Sequence, residues 1–410
     1  MKLCSPSLPV LLVLLMAAAA FAQDWTPVPL GSVGDILAIQ QTTSPEHWLT
    51  GRAGLVARSN ADHTVWTLVD VGTSADLFSV VEPAVSQVWV GAGGGVVRYL
   101  DNGVWAQRDI PDAQDFVLHT RVVGEALAVG SQGAIYHGTD YGQTWTPESS
   151  GTQAALHGAT GVTTGPAWAV GDDGLILKLE SGATQWIPRV SGTTADLLAI
   201  AENLNLLFVV GQGGTILRSA DGGASWSPRM SATEATLRAI SVSKNDFNVM
   251  VAVGDEGVIL KSVDRGETWC RLSSMTTARF NAVEAVSTME YLVAGEGGLL
   301  LRTTTGGGDC QDPLAALPLA IPGGLRLSAP SPQPATARVA FELDLDRDGS
   351  YAASLIDMQG RVLREVFRGR SLAAGRHPLQ VDTSELPAGV YLLQVRTGDA
   401  SAARRFVVLH

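Results

Sequence analysis

The stretch VGQGGTILRSADGGASW, Val210 to Trp226, packs five glycines, a lone Asp and a closing Trp into one segment, much as a phosphate-cradling loop would. Nearly the same string returns as VGDEGVILKSVDRGETW, Val253 to Trp269, displaced by 43 residues. A nucleotide loop occurs once, ahead of a helix and with a Lys after its glycines. Glycines that return in register serve a recurring backbone turn instead, because glycine reaches the positive φ of tight turns between strands.

Working outward, the Gly-x-x-Gly turn stands at 51/54, 91/94, 130/133, 171/174, 211/214, 254/257 and 295/298, with first glycines 40, 39, 41, 40, 43 and 41 apart. A Trp follows each of the first six by 14 or 15 residues: Trp66, Trp105, Trp145, Trp186, Trp226 and Trp269. The seventh has Cys310 in that place, and its Trp is at the other end of the chain. Trp25 opens WTPVPLGSVGDILAI as Trp226 opens WSPRMSATEATLRAI, each with Ile fourteen residues on. An N-terminal strand that completes the last unit leaves no sheet edge open. From each Trp, ten residues lead to an apolar stretch (ILAI, LFSV, FVLH, LHGA, LLAI, LRAI, FNAV), and a second run, the glycine turn, a third run and a polar turn follow. Four short strands per unit, seven times over, predict an all-β, seven-bladed β-propeller across residues 23–308.

The polar turns carry Ser219-x-Asp221-x-Gly223-x-Ser225-Trp226, Ser262-x-Asp264-x-Gly266-x-Thr268-Trp269 and Asp140-x-Gly142-x-Thr144-Trp145. They resemble Asp boxes, the bacterial-neuraminidase-type repeat. With the VGxxGxI/L turns, the units are similar to propellers of the photosystem II assembly and stability factor family, over residues 24 to about 305. The resemblance implies turn-capping Asp and Ser/Thr side chains and Trp packed between blades. It carries no shared job outside photosynthetic organisms, and blades 1, 2, 4 and 7 lack the full Asp box.

Both ends of the chain carry further signals. Lys2, an apolar run from about Val10 to Ala20 and Ala20-Phe21-Ala22 read as a secretory signal peptide, residues 1–22, since the run is too short for a bilayer span. Residues 309–324, DCQDPLAALPLAIPGG, lose the blade pattern and read as a linker. Seven short strands are expected in residues 325–410, enough for an immunoglobulin-like sandwich. Pro332-x-Pro334, Asp357-Met-Gln-Gly360-Arg361, Leu386-Pro-Ala-Gly389-Val-Tyr391 and the terminal Arg404-Arg405-Phe-Val-Val-Leu409 resemble a type IX secretion C-terminal sorting domain. Gln333 stands where that family usually has Asn, and the chain ends in His410. The resemblance implies passage across the outer membrane, a place outside the cell or on its surface, and a domain that would be cleaved off afterwards. An ordinary adhesive sandwich is the alternative.

Charge limits the partners. The chain carries a net charge of −12, and residues 23–324 hold 31 acidic against 16 basic residues. Nucleic acid, whose affinity rests on Lys/Arg contacts to phosphate, is a poor fit. Seven histidines include no His-x-x-x-His pair, so no metal site is expected from them. Cys270 and Cys310 read either as a disulfide or as ligands, the former requiring Cα atoms within about 7 Å.

Ten residues after each Trp stand Asp35, Asp76, Asp115, Ala155, Asp196, Thr236 and Arg279. The four carboxylates read either as a ring at the channel mouth that attracts calcium, or as caps of their own turns. No other cofactor is expected. The glycine-turn loops should lie on the same face and carry Arg52, Asp172, Asp173, Gln212, Asp255, Glu256 and Glu296, variable loops of the kind that form a binding surface. The expected function is a non-catalytic recognition or assembly module for a protein or glycan at the cell surface, with residues 325–410 engaging the type IX export machinery. A sialidase-like Asp-box glycoside hydrolase is the alternative, with two carboxylates flanking a sugar. A photosystem assembly role is a third, which the sorting domain argues against.

Overall fold

The computed structural model describes residues 24–308 and 325–408, apart from 32, 42–45, 85–86, 102, 111–114, 123, 162–164, 204, 328–329, 331–334, 336, 346, 358–360, 388 and 398–399. The expected signal peptide and linker, Cys310 and His410 fall outside the described residues. The chain divides into two compact units, Met1–Asp309 and Cys310–His410.

The first unit is seven four-stranded antiparallel sheets. In the fifth the strands are Leu197–Asn203, Leu206–Gly211, Ile216–Ser219 and Ser227–Pro228, in that order. The seventh runs Phe280–Ala285, Tyr291–Gly295, Leu300–Thr303 and then Thr26–Pro27 from the N-terminus, with Thr26 opposite Arg302 and Pro27 opposite Leu301. The second strands His47–Gly51, Ala167–Gly171 and Met250–Gly254 are buried at every position, and the last two accordingly read as unbroken apolar runs.

Hydrophobic clusters join neighbouring sheets, and each takes in a closing Trp. Trp25 packs among residues of the sixth and seventh sheets, Trp66 of the seventh and first, Trp186 of the third and fourth, and Trp269 of the fifth and sixth. Trp105, Trp145 and Trp226 pack, less deeply, against the remaining three clusters. There the partner is another indole: Trp48–Trp105 at 6.0 Å, Trp89–Trp145 at 6.1 Å and Trp168–Trp226 at 6.1 Å between centroids, edge-on or tilted.

The Asp boxes make the expected turn bonds. Ser219 Oγ donates to Asp221 and accepts from the Gly223 amide, while the Ser225 amide and hydroxyl both donate to Asp221. Ser262, Asp264 and Thr268 repeat the pattern. Gly223 lies so close to the preceding blade that a Cβ there would stand 2.0 Å from the Trp168 ring. In the first blade the same place is taken by His63 at φ 54°, buried and 2.9 Å from Glu290 of the seventh blade.

The glycine turns answer the opening question in an unexpected way. The first glycine of each pair is extended, φ −170° at Gly211, a value open to any residue. It is glycine because the chain entering the blade passes directly over it: a Cβ on Gly211 would lie 2.1 Å from the Asp196 carbonyl oxygen, and one on Gly51 2.1 Å from that of Asp35. The second glycine has positive φ, 68° at Gly214, and lies 1.9 Å, by its notional Cβ, from the Thr233 carbonyl of the link leaving the blade. The residue between them also has positive φ, even where it is Ala53, Gln132, Asp173 or Glu256. The expected role of positive φ thus holds for the second glycine and fails for the first. In the second blade the turn sits one residue later than the spacing implies, with Ala92 and Gly95 in place of 91/94.

The second unit holds all seven expected strands, in two sheets. Leu325–Leu327, Arg338–Leu345 and Gly375–Asp382 form one, and Val362–Leu372, Gly349–Asp357, Gly389–Thr397 and Ala400–Val408 the other. Alternate residues such as Val339, Phe341, Leu355, Leu393 and Phe406 make the shared core. The Tyr391 hydroxyl donates to the Pro387 carbonyl at 2.7 Å, so the Leu-Pro-Ala-Gly-Val-Tyr motif is a tyrosine-pinned corner.

Gly211→Ala should cost about 2–3 kcal/mol through overpacking against the Asp196 carbonyl, whereas Gly213→Ala, with open space around it and Ala53 at the same place in the first blade, should cost under about 1 kcal/mol. Chemical denaturation of both variants decides; equal losses would contradict the close-approach account.

Candidate recognition face and channel

Each of the four sequence-picked aspartates reaches across to the glycine turn of the preceding blade. Asp76 accepts the Ala53 amide at 3.0 Å, Asp115 the Gly94 amide at 3.3 Å, Asp196 the Asp173 amide at 3.0 Å and Asp35 the Gly297 amide at 2.9 Å. The amide bonded is that of the positive-φ residue in every case. Caps they are, but of a neighbour's turn and not of their own. Among the described residues, no group of three His, Cys, Asp or Glu is gathered to hold a metal ion.

The blades without this Asp put an acid elsewhere. Where the link position holds Ala155, Thr236 or Arg279, the first residue of the same blade's glycine turn is Asp172, Asp255 or Glu296; where the link holds Asp, that residue is Arg52, Gly93, Ser131 or Gln212. The two positions are adjacent in space. Asp172 accepts the Ala155 amide at 3.3 Å and Glu296 the Arg279 amide at 3.3 Å. Every blade therefore brings one carboxylate to the same rim.

Cations answer only part of this charge. Asp35 meets Arg52 at 3.3 Å and Arg279 at 3.2 Å, Asp255 meets Arg238 at 2.6 and 3.1 Å, and His157 Nε2 lies 2.6 Å from Asp172. Gln212 donates to Asp196 at 2.7 Å. Asp173 and Glu256 project from the turn tips and are exposed. All the predicted face-loop residues are thus on one rim, several of them tied to one another.

Inside the rim the innermost strands of all seven blades line one cavity of about 500 Å³. Its far end, where the first strand of each blade turns into the second, holds residues that sequence reading did not single out. Glu202 has an oxygen, Oε2, that is buried with no hydrogen-bond partner, and burial pushes its carboxyl up to about 7. Glu284, 6% exposed, is also raised by burial, against the opposing pull of Lys244 at 3.5 Å. Burial holds His119 down to about 4, so it stays neutral near pH 7. These carboxylates lie toward the end of the channel that carries the Asp-box turns. Their one sequence signal is a charge ending an apolar inner strand, as in LLAIAEN.

Cys270 is disulfide-bonded, and its expected partner Cys310 lies outside the described residues. No helix among the described residues is long and apolar enough to cross a membrane.

Comparison with known proteins agrees with this architecture. Residues 189–277 match a family model described as photosynthesis system II assembly factor YCF48, and residues 331–409 one described as a secretion system C-terminal sorting domain. The second match places an export signal at the C-terminal end. Among curated proteins none matches the chain. A solved structure of YCF48 bound to D1 peptide is 19% identical with TM-score 0.58, covering 69% of this chain and 95% of that one. YCF48 from Cyanidioschyzon merolae is 18% identical with TM-score 0.57, covering 68% and 98%. The extracellular domain of a one-component system from B. thetaiotaomicron is 11% identical with TM-score 0.56, covering 95% of this chain and 59% of that one. At these identities the likeness is one of fold.

Two outcomes follow. Asp196→Ala should lose about 1 kcal/mol by orphaning the Asp173 amide, Asp196→Asn much less, and calcium should leave the melting temperature of the wild type unmoved; a calcium-dependent rise would reinstate the cation ring. For Glu202, the folded chain holds its proton to higher pH than the unfolded chain, whose value is 4.5, so the native state binds more protons between 4.5 and about 7 and stability falls as pH rises through that window. Glu202→Gln should remove this fall and melt higher than wild type at pH 8 but not at pH 4; parallel profiles would contradict it.

Proposed function

We propose that the chain is an exported, non-catalytic recognition module whose propeller holds a cationic peptide segment of a protein partner across the glycine-turn rim. The observation that carries this reading is the carboxylate on every blade of that rim. With Asp173 and Glu256 at the tips, nine acidic side chains face three guanidinium groups, those of Arg52, Arg238 and Arg279. An acidic surface of this kind steers and retains Lys- and Arg-rich segments, and its pull weakens with salt.

Three further points support it. Six of the rim carboxylates, Asp35, Asp76, Asp115, Asp172, Asp196 and Glu296, accept backbone amides, so their positions are set before a partner arrives and little ordering is lost on binding. The turns that carry them differ from blade to blade while the strands below repeat, the usual division between surface and scaffold in repeat folds. A structural relative was solved with a bound peptide, which favours peptide over glycan. Export follows from the sorting domain, and the machinery that reads residues 325–410 is a second, transient partner.

Panning the purified chain against displayed random dodecapeptides should enrich Lys and Arg. The selected peptides should lose roughly ten-fold in affinity for the Asp173→Lys, Glu256→Lys double variant and keep it for Asp62→Lys at the opposite end. Acidic or neutral selections, or equal loss in both variants, would overturn the reading.

A further inference from the structure

The acidic rim also carries apolar groups. Exposed apolar side chains scattered singly are ordinary on a protein surface, but those of the rim are not scattered. Val190, Met230 and Met275 are 88%, 86% and 80% exposed, more than any other large hydrophobic among the described residues, and they stand on three successive links, those leaving the fourth, fifth and sixth blades. Val190 and Met230 directly precede Ser191 and Ser231, and Met275 directly follows Ser274, the three serines whose hydroxyls bond the carbonyl of the Thr two residues on. Other links are polar or bare at these places: the counterparts of Val190 after the first and third blades are Asp70 and Ser149, and those of Met275 after the third and fourth are Gly151 and Gly192.

Chain direction fixes where these positions lie. Each link starts at the fourth strand of one blade and ends at the first strand of the next; the first strands line the channel, and the fourth strands are at the opposite edge of their sheets. Val190 comes directly after the fourth strand Trp186–Arg189, whereas Asp196 directly precedes the first strand Leu197–Asn203. The apolar positions therefore follow an outer arc over the fourth to sixth blades, and the rim carboxylates an inner one. At the fourth blade the two meet in one open cleft of about 800 Å³, which Asp172 and Asp173 line together with Leu175 and Val190. The cation that lines it, Arg189, is tied to Glu180 at 2.9 Å.

Charge complementarity and this two-sided layout name the occupant. Lys and Arg match the inner acids, and in an extended segment successive side chains point to opposite sides. A segment lying along the rim thus turns every second residue outward, over the apolar arc. We infer that Val190, Met230 and Met275 form the docking surface for the apolar residues of an extended partner segment in which basic and apolar residues alternate. The inference rests on the cationic-segment reading of the rim and narrows the partner from basic segments in general to amphipathic ones. The acids set the attraction and its salt dependence, while the arc sets which basic segments stay. Methionine, unbranched and polarisable, suits apolar partners of differing shape.

The test is fluorescence anisotropy of the purified full chain with three labelled octapeptides: alternating Lys and Leu, alternating Lys and Ser, and a block isomer of the first in which all Lys precede all Leu. Wild type should hold the alternating Lys–Leu peptide roughly ten-fold more tightly than either of the others. The Met230→Ser, Met275→Ser double variant should lose that advantage and bind the Lys–Ser peptide as wild type does, with its melting temperature unmoved because both side chains are exposed. Leu68→Ser, also at an exposed apolar residue but on the first blade, should keep the advantage. Equal binding of the Lys–Leu and Lys–Ser peptides by wild type, or an advantage that survives in the double variant, would overturn the inference and leave the cationic-segment reading standing; binding of no peptide would overturn both. Self-association of the peptide-free chain that the double variant abolishes would assign the arc to a second copy of the chain and overturn the inference likewise.

Discussion

The structure depends on one close approach: backbone lying on backbone at the glycine turns. In six blades the link that enters crosses the first glycine of its turn, and in five the link that leaves crosses the second, at distances no Cβ could occupy; the second blade carries Ala92 at the first place. This contact fixes where each link can run, and hence which side chain of the link stands over which turn. The aspartate bond to the neighbouring turn follows directly. It satisfies the amide of a residue held at positive φ, and in doing so couples one blade to the next on the rim, while the Trp does the same in the core. Loss of such a buried indole costs about 3–5 kcal/mol, so the core clamp is the stronger of the two.

That constraint also explains why a rim so charged is compatible with folding. A carboxylate bonded to a backbone amide is stabilised by a group that carries no competing function. Whether the acid comes from the link or from the turn, it ends beside the same crossing, so the two positions exchange freely from blade to blade. The far end of the channel has no such support. Its charges are borne by strand ends of differing length, and burial there works against them, leaving Glu202 and Glu284 raised.

Much of this was legible in the sequence because it is said seven times. Glycine spacing, the Trp register and Trp25 at the start of the chain were enough to define the blades, and the alternation of residues 325–410 was enough for the sandwich strands. The site was legible in parts. Asp35, Asp76, Asp115 and Asp196 stand out by register, yet their partners lie about 20 residues away or, for Asp35, at the opposite end of the chain, and a search of local turns cannot reveal them. The exchange between Asp172, Asp255 and Glu296 and the missing link aspartates connects two columns of the repeat that look unrelated until folding sets them side by side. Glu202 and Glu284 share no repeat position and border one cavity only because the inner strands of the blades converge. The one-residue shift of the second turn hid behind a run of glycines, where spacing alone has no anchor.

The central claim is that the glycine-turn rim, built from scaffold residues, is the surface on which a cationic segment rests. Hydrogen–deuterium exchange of the full chain, with and without a Lys-rich peptide, tests it most directly, because the turn amides are themselves the groups that hold the carboxylates. The account predicts added protection confined to the turns around residues 52–54, 172–174, 212–214, 255–257 and 296–298 and the links above them. Protection at the Asp-box turns instead, or none anywhere on saturation with peptide, would contradict it.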